Sequence, residues 1–169
     1  MNKELPINKQ NIFVKQQGPY ECWYACYLMV LQYMRNVRLN YDAEKATVRN
    51  SETYKNYLAI DPDANPFRDG AGDDFLIGIL NDQGYQFTRY TAENTPQMAN
   101  RIEESFNKNK PVILGFNRGT EGGHFVFVYG ISGDVSTGWQ LTYLDPEVDI
   151  NNCVKTVALS DPSIASILI

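Results

Sequence analysis

The chain is poor in the side chains from which most small-protein sites are built. In 169 residues it has three cysteines, Cys22, Cys26 and Cys153, and one histidine, His124. So few cysteines, in an odd number, exclude a disulfide scaffold. Cys22 and Cys26 lie one helical turn apart, and a bridge between them would strain a helix, so thiols are expected. There is no CxxC pair, and a single histidine leaves a zinc site short of ligands. Positive charge is also scarce: the net charge is −5 and no cluster of five basic residues occurs. That argues against nucleic acid and against an anionic membrane as partner. No apolar run reaches membrane-spanning length; the best, near 24–34, is short and contains Gln32. The opening Met1-Asn2-Lys3-Glu4-Leu5-Pro6 carries no apolar stretch of signal-peptide length. The expected location is therefore the cytoplasm, or outside it by a route that needs no cleaved signal. No internal repeat or low-complexity segment is present.

Apolar material is plentiful. The hydrophobic share is 43%, with eleven tyrosines and eight phenylalanines, enough for one folded domain over 1–169. Residues 1–11 are polar and read as loose. The run Ile12-Phe13-Val14 reads as a strand or extended arm. Gly18-Pro19 turns the chain into a helix over 22–36, rich in alanine, leucine and methionine. Residues 37–70 are hard to read: short helices over 41–48, with Asn40 as cap, and 51–59 are expected. The loop chemistry at 61–72 is either a cleft wall, a lid or a surface excursion. Apolar spacing at Phe75, Leu76, Ile79 and Leu80 predicts a helix over 73–83 that stops at Gly84. A strand over 85–90 follows, then a helix from Thr95 as cap with Pro96 in its first turn, to 109.

After Pro111 the pattern changes to four strands, 112–116, 124–131, 139–144 and 154–159, separated by Gly-, Asn- and Asp-rich turns. The tail from Ser160 is a short helix or strand. Helices first and strands later predict an α+β fold, an N-terminal helix packed on a C-terminal antiparallel sheet.

Three residues in this scheme suggest chemistry. Cys22 falls in the first turn of the buried helix, where the dipole and unpaired N–H groups favour a thiolate, the nucleophilic form. Read alone it is equally a small buried hydrophobe. His124 opens a strand that is apolar on both faces, just after Gly122-Gly123; alone, it is a strand-end histidine. Asp145 closes the next strand at Leu144-Asp145-Pro146; alone, it opens a turn. Together they are the parts of a nucleophile, base and orienting acid. Residues 124 and 145 fall at the open end of one hairpin. Trp23 and Cys26 read as packing, and Cys153, in a strand, carries no functional signal.

The blocks Gln-x5-Cys-Trp-x-Ala-Cys before an apolar helix, Gly-His-x-Val-x-Val-x-Gly, and a strand ending in Asp-Pro resemble the papain-like cysteine peptidases. Among these they are most similar to the bacterial AvrRpt2-type effector proteases (the C70 family) and the C39-like peptidases. The resemblance covers 16–34, 122–131 and 141–146. It implies a thiol protease acting on a protein or peptide, with Cys22 as nucleophile, His124 as general base and acid, and Asp145 orienting it. Gln16 would supply the oxyanion hole with the Cys22 backbone N–H, and Gln17 is its rival by a one-residue shift. No cofactor or metal is implied. Two alternatives remain: a transglutaminase-like acyl transferase or amidase using the same relay, and an inactive papain-like binding module.

Overall fold

The computed structural model describes residues 1–91 and 94–169. Helix α2 (Cys22–Arg35) is its organising element, buried at Cys22, Trp23, Tyr24, Ala25, Cys26, Tyr27, Leu28, Met29, Val30, Leu31 and Gln32. It lies where the helix-forming run predicts, and Asn36 closes it in the left-handed conformation. Ahead of it come a short strand β1 (Asn2–Glu4) and one helical turn α1 (Lys9–Ile12). After it come α3 (Tyr41–Asn50), α4 (Glu52–Ile60), α5 (Pro66–Asp69), α6 (Asp73–Asp82), β2 (Arg89–Tyr90) and α7 (Thr95–Asn107). The C-terminal half is β3 (Val112–Asn117), a 3₁₀ turn (Gly119–Glu121), β4 (Gly123–Asp134), β5 (Gly138–Leu144), β6 (Val154–Ala158) and β7 (Ile164–Leu168).

The strands form a seven-stranded sheet in the order β2-β7-β3-β4-β5-β6, with β1 on β4 beyond the end of β3. Every pairing is antiparallel. Side chains of successive strand residues leave on opposite faces. On β4, Phe125 and Phe127 face the core around α2, while Val126 and Val128 face the core around α7, with Met98, Ala99, Ile102 and Phe106. That two-sided burial is why β4 reads as apolar on both faces. The expected α+β fold, a helix on an antiparallel sheet, is present, and α7 adds a second helical layer.

Several expectations change. Residues 1–11 are not loose: β1 pairs with β4 from Gly130 to Ser132, and the amino terminus donates to the Gly133 carbonyl at 2.8 Å. Backbone pairing needs no apolar pattern, and Leu5, 3% exposed, anchors the arm in the α7-side core. Ile12 ends a helical turn capped by the Asn8 side chain rather than starting a strand. The strand expected over 85–90 shrinks to Arg89–Tyr90, since the Phe87 N–H goes to the Asn81 side chain. The cap of α7 is Asn94, not Thr95: Asn94 takes φ 54 and accepts the Gln97 N–H, a backbone conformation asparagine tolerates better than threonine. Cys153 precedes β6 instead of lying in it. The tail, expected as a helix or a strand, is the strand β7, which sits between β2 and β3.

Candidate active site

Cys22 is the first residue of α2, and Glu21 is its cap residue. Glutamate caps poorly, and this one makes no side-chain cap bond. The first-turn N–H groups of α2 are therefore left uncapped by the residue that usually covers them. His124 lies in β4, opposite Phe116 of β3. Asp145 directly follows β5, and its N–H donates to the Cys153 carbonyl at 2.8 Å. That bond continues the β5–β6 ladder and fixes the aspartate one step past the strand end.

His124 Nε2 lies 2.8 Å from Asp145 Oδ1, and both residues are buried. Asp145 Oδ1 also accepts the Glu147 N–H at 3.0 Å, while Oδ2 takes the Lys155 ammonium at 2.5 Å. Burial pushes the Asp145 carboxyl up. The bonds from His124, Lys155 and Glu147 outweigh it and hold the group well below the usual carboxylate range. Burial pulls the His124 pKa down. The Asp145 bond first, then the hydrogen bond and charge of Cys22, reverse this and leave it raised. The imidazole thus binds the carboxylate directly, and Cys22 lies near enough to act on the ring.

Cys22 and His124 open on a cleft of about 690 Å³. Cys22, Trp23, His124 and Phe125 are among its lining residues. One wall carries Tyr57 and residues 69–72; the other carries Arg118 and residues 121–123. The segment 37–70 therefore supplies a cleft wall. Trp23, expected as packing, is fully buried, yet its indole N–H holds the Pro66 carbonyl at 3.1 Å at the start of that wall. Cys26 and Cys153 are fully buried, and burial raises both thiols.

Gln16 lies on the loop before α2, held by its N–H to the Pro146 carbonyl at 2.9 Å. Its side-chain nitrogen donates to the carbonyls of Gly18 at 3.0 Å and Pro19 at 3.4 Å, and its Oε1 is buried without a partner. Gln17 is exposed, and its backbone N–H donates to the Tyr41 hydroxyl at 3.2 Å.

Nothing in the sequence points to the cations around the carboxylate. Lys155 binds Asp145, and Arg118 binds Glu147 at 2.8 Å. His124, Asp145 and Glu147 bring ligand atoms within 4.8 Å of one another. The donor set could take a cation, but both carboxylates already face a basic side chain. Nothing in local sequence marks Lys155, because it approaches from the next strand.

A helix bearing a cysteine at its start, packed on an antiparallel sheet bearing histidine and aspartate, is the architecture of the papain-like cysteine proteases. The chain belongs to the family described as papain-like cysteine protease AvrRpt2, whose model matches residues 2–160. No curated protein matches it in sequence. Solved structures share its fold at low identity. The peptidase domain of Streptococcus ComA, a bifunctional ABC transporter, is 14% identical with a TM-score of 0.58, covering 94% of this chain and 96% of that one. UfSP from C. elegans is 12% identical with a TM-score of 0.61, covering 93% of this chain but 31% of its own. A recombinant stem bromelain precursor is 9% identical with a TM-score of 0.59, covering 99% of this chain and 68% of its own. Among the described residues no helix is long and apolar enough to cross a membrane.

Proposed function

We propose that this cysteine protease cuts peptide bonds with Cys22 as nucleophile, His124 as base and acid, and Asp145 as the group that orients the ring. The observation that carries the reading is the 2.8 Å His124–Asp145 bond, with His124 lining the same cleft as Cys22. Nε2 is committed to Asp145, which leaves Nδ1 for the thiol. His124 takes the thiol proton, and the sulfur attacks the peptide carbonyl. The oxyanion is held by the Cys22 backbone N–H and the Gln16 amide, swung from its bonds to Gly18 and Pro19. The tetrahedral adduct collapses as His124 protonates the leaving amine. Water, deprotonated by His124, then hydrolyses the thioester. We read residues 1–169 as one peptidase domain acting on a protein or peptide. A bacterial origin and a selective effector role extend the family resemblance.

The test is to incubate the protein with a peptide library and excess primary amine and weigh the products. Water addition at cut sites supports hydrolysis. Amine incorporation without cutting would make it an acyl transferase, and neither product would favour a binding module.

The raised His124 pKa gives a pH prediction. Turnover needs imidazolium to protonate the leaving amine. On the alkaline side, activity therefore falls as pH rises through the folded pKa of His124. The alkaline limb of kcat/KM should lie above the ordinary histidine value of about 6.5. Asp145→Asn removes the carboxylate bond, the largest single interaction raising that pKa, and leaves burial, which lowers it. The limb should move to lower pH, and kcat should drop about tenfold or more. An unmoved limb in a kcat/KM profile would exclude Asp145 from this role.

A further inference from the structure

Just behind the nucleophile is a buried acid that the mechanism above does not use. Glu21 is 5% exposed, and its carboxylate is fully engaged. Oε1 binds the Lys45 ammonium at 2.8 Å. Oε2 accepts the Tyr41 hydroxyl at 2.6 Å and the Gly18 N–H at 3.1 Å. The Tyr41 oxygen in turn accepts the Gln17 N–H at 3.2 Å. Lys45 is itself held among rings, with its ammonium 5.1 Å from the centroids of Tyr41 and Phe67. Burial pushes the Glu21 carboxyl up, but Lys45 and Tyr41 prevail and keep it low. The acid is thus an ionised anchor.

The bonds share one target. Three consecutive backbone N–H groups of the loop before α2 are tied down: Gln16 to the Pro146 carbonyl, Gln17 to Tyr41, and Gly18 to Glu21. Two of these ties run through the Glu21–Tyr41 pair. At the cap position of α2 the carboxylate turns back onto the loop and leaves the helix N–H groups uncovered. A glutamate there serves the helix poorly and the loop well.

We propose that Glu21 and Tyr41 are positioning residues that hold the loop carrying Gln16 in register with Cys22, so that the Gln16 amide reaches the oxyanion. This rests on the reading of Gln16 as oxyanion donor. The loop sets the donor's distance from the carbonyl oxygen, and such a donor stabilises the transition state more than bound substrate. Its loss therefore lowers kcat with little change in KM.

The experiment compares Tyr41→Phe, Glu21→Gln and Gln16→Ala for hydrolysis of a peptide found by library screening. It also measures the rate at which iodoacetamide alkylates Cys22. Alkylation is a displacement at carbon with no oxyanion, so it reports the nucleophile without the loop. Tyr41→Phe keeps the ring and removes only the bridging hydroxyl, so the fold is retained. It should lower kcat about tenfold, within the roughly 100- to 1000-fold that a whole oxyanion donor supplies. KM and the alkylation rate should stay at the starting values. Glu21→Gln should fall in the same direction, and Tyr41→Phe should have no further effect on Gln16→Ala. The proposal is overturned if Gln16→Ala lowers kcat while Tyr41→Phe does not. It is also overturned if Tyr41→Phe slows alkylation as much as hydrolysis, since the pair would then act on the sulfur. If Gln16→Ala leaves kcat intact, the oxyanion reading itself fails, and the proposal fails with it.

Discussion

Cys22→Ser should lower kcat/KM for peptide hydrolysis by about 10⁴-fold or more, and His124→Ala by a similar factor, because residues that act as one unit lose nearly everything when one is removed. The serine is close to isosteric, and residue 22 is 8% exposed, so the fold should survive and the loss should be chemical. A hydroxyl in place of the thiol is a much weaker nucleophile in a site built for sulfur. Combining the two substitutions should add little. Labelling gives an independent check. Cys26 and Cys153 are fully buried, and burial raises both thiols, which keeps them protonated and inaccessible. Brief iodoacetamide treatment near neutral pH should mark one site in the parent protein and none in Cys22→Ser. Mass spectrometry reads the site directly. Labelling of Cys26 at a comparable rate, or near-parental hydrolysis by Cys22→Ser, would remove residue 22 from the chemistry.

The parts of this architecture visible in the sequence are those written in periodicity or in rare residues. Helix α2 is legible because a long run of good helix formers follows Gly18-Pro19. Strand β4 is legible because burial on both faces leaves no polar alternation. His124 and Asp145 are legible as a pair because each closes or opens an apolar strand of one hairpin. What escapes is whatever depends on approach from a distance. The β1 arm pairs through backbone alone, so its polar side chains hide it. Lys155 reaches Asp145 from the neighbouring strand. Tyr41 and Lys45 reach Glu21 from α3. Gln32 reads as a flaw in an apolar helix. It is a fully buried stitch, donating to the Ile12 carbonyl at 2.9 Å and accepting the Leu39 N–H at 2.9 Å. Glu21 was the strongest missed signal: an acid directly before the candidate nucleophile, at the edge of an apolar run, must find cations or donors if it is buried.

Trp23→Ala should be the most damaging change to stability. The ring is fully buried, tilted against Tyr24 at 5.5 Å and Phe67 at 5.0 Å, and edge-on to Phe75 at 5.3 Å. Truncating such a residue costs about 3–5 kcal/mol, against a total stability of about 5–15 kcal/mol for a domain. At this size each kcal/mol moves the melting temperature by about 2–4 °C, so a fall of about 10 °C is expected, read by calorimetry. Trp23→Phe separates packing from anchoring. It keeps one of the two fused rings and removes the N–H that holds the carbonyl of buried Pro66, leaving that acceptor unpaired at a cost of about 1–3 kcal/mol. Pro66 opens α5, which leads into the cleft wall at 69–72. Loosening that wall should weaken substrate binding without touching the sulfur. KM should rise while kcat and the alkylation rate of Cys22 hold. A Trp23→Phe protein with unchanged KM would mean that the wall is fixed by its own turns and that the indole next to the nucleophile serves the core alone.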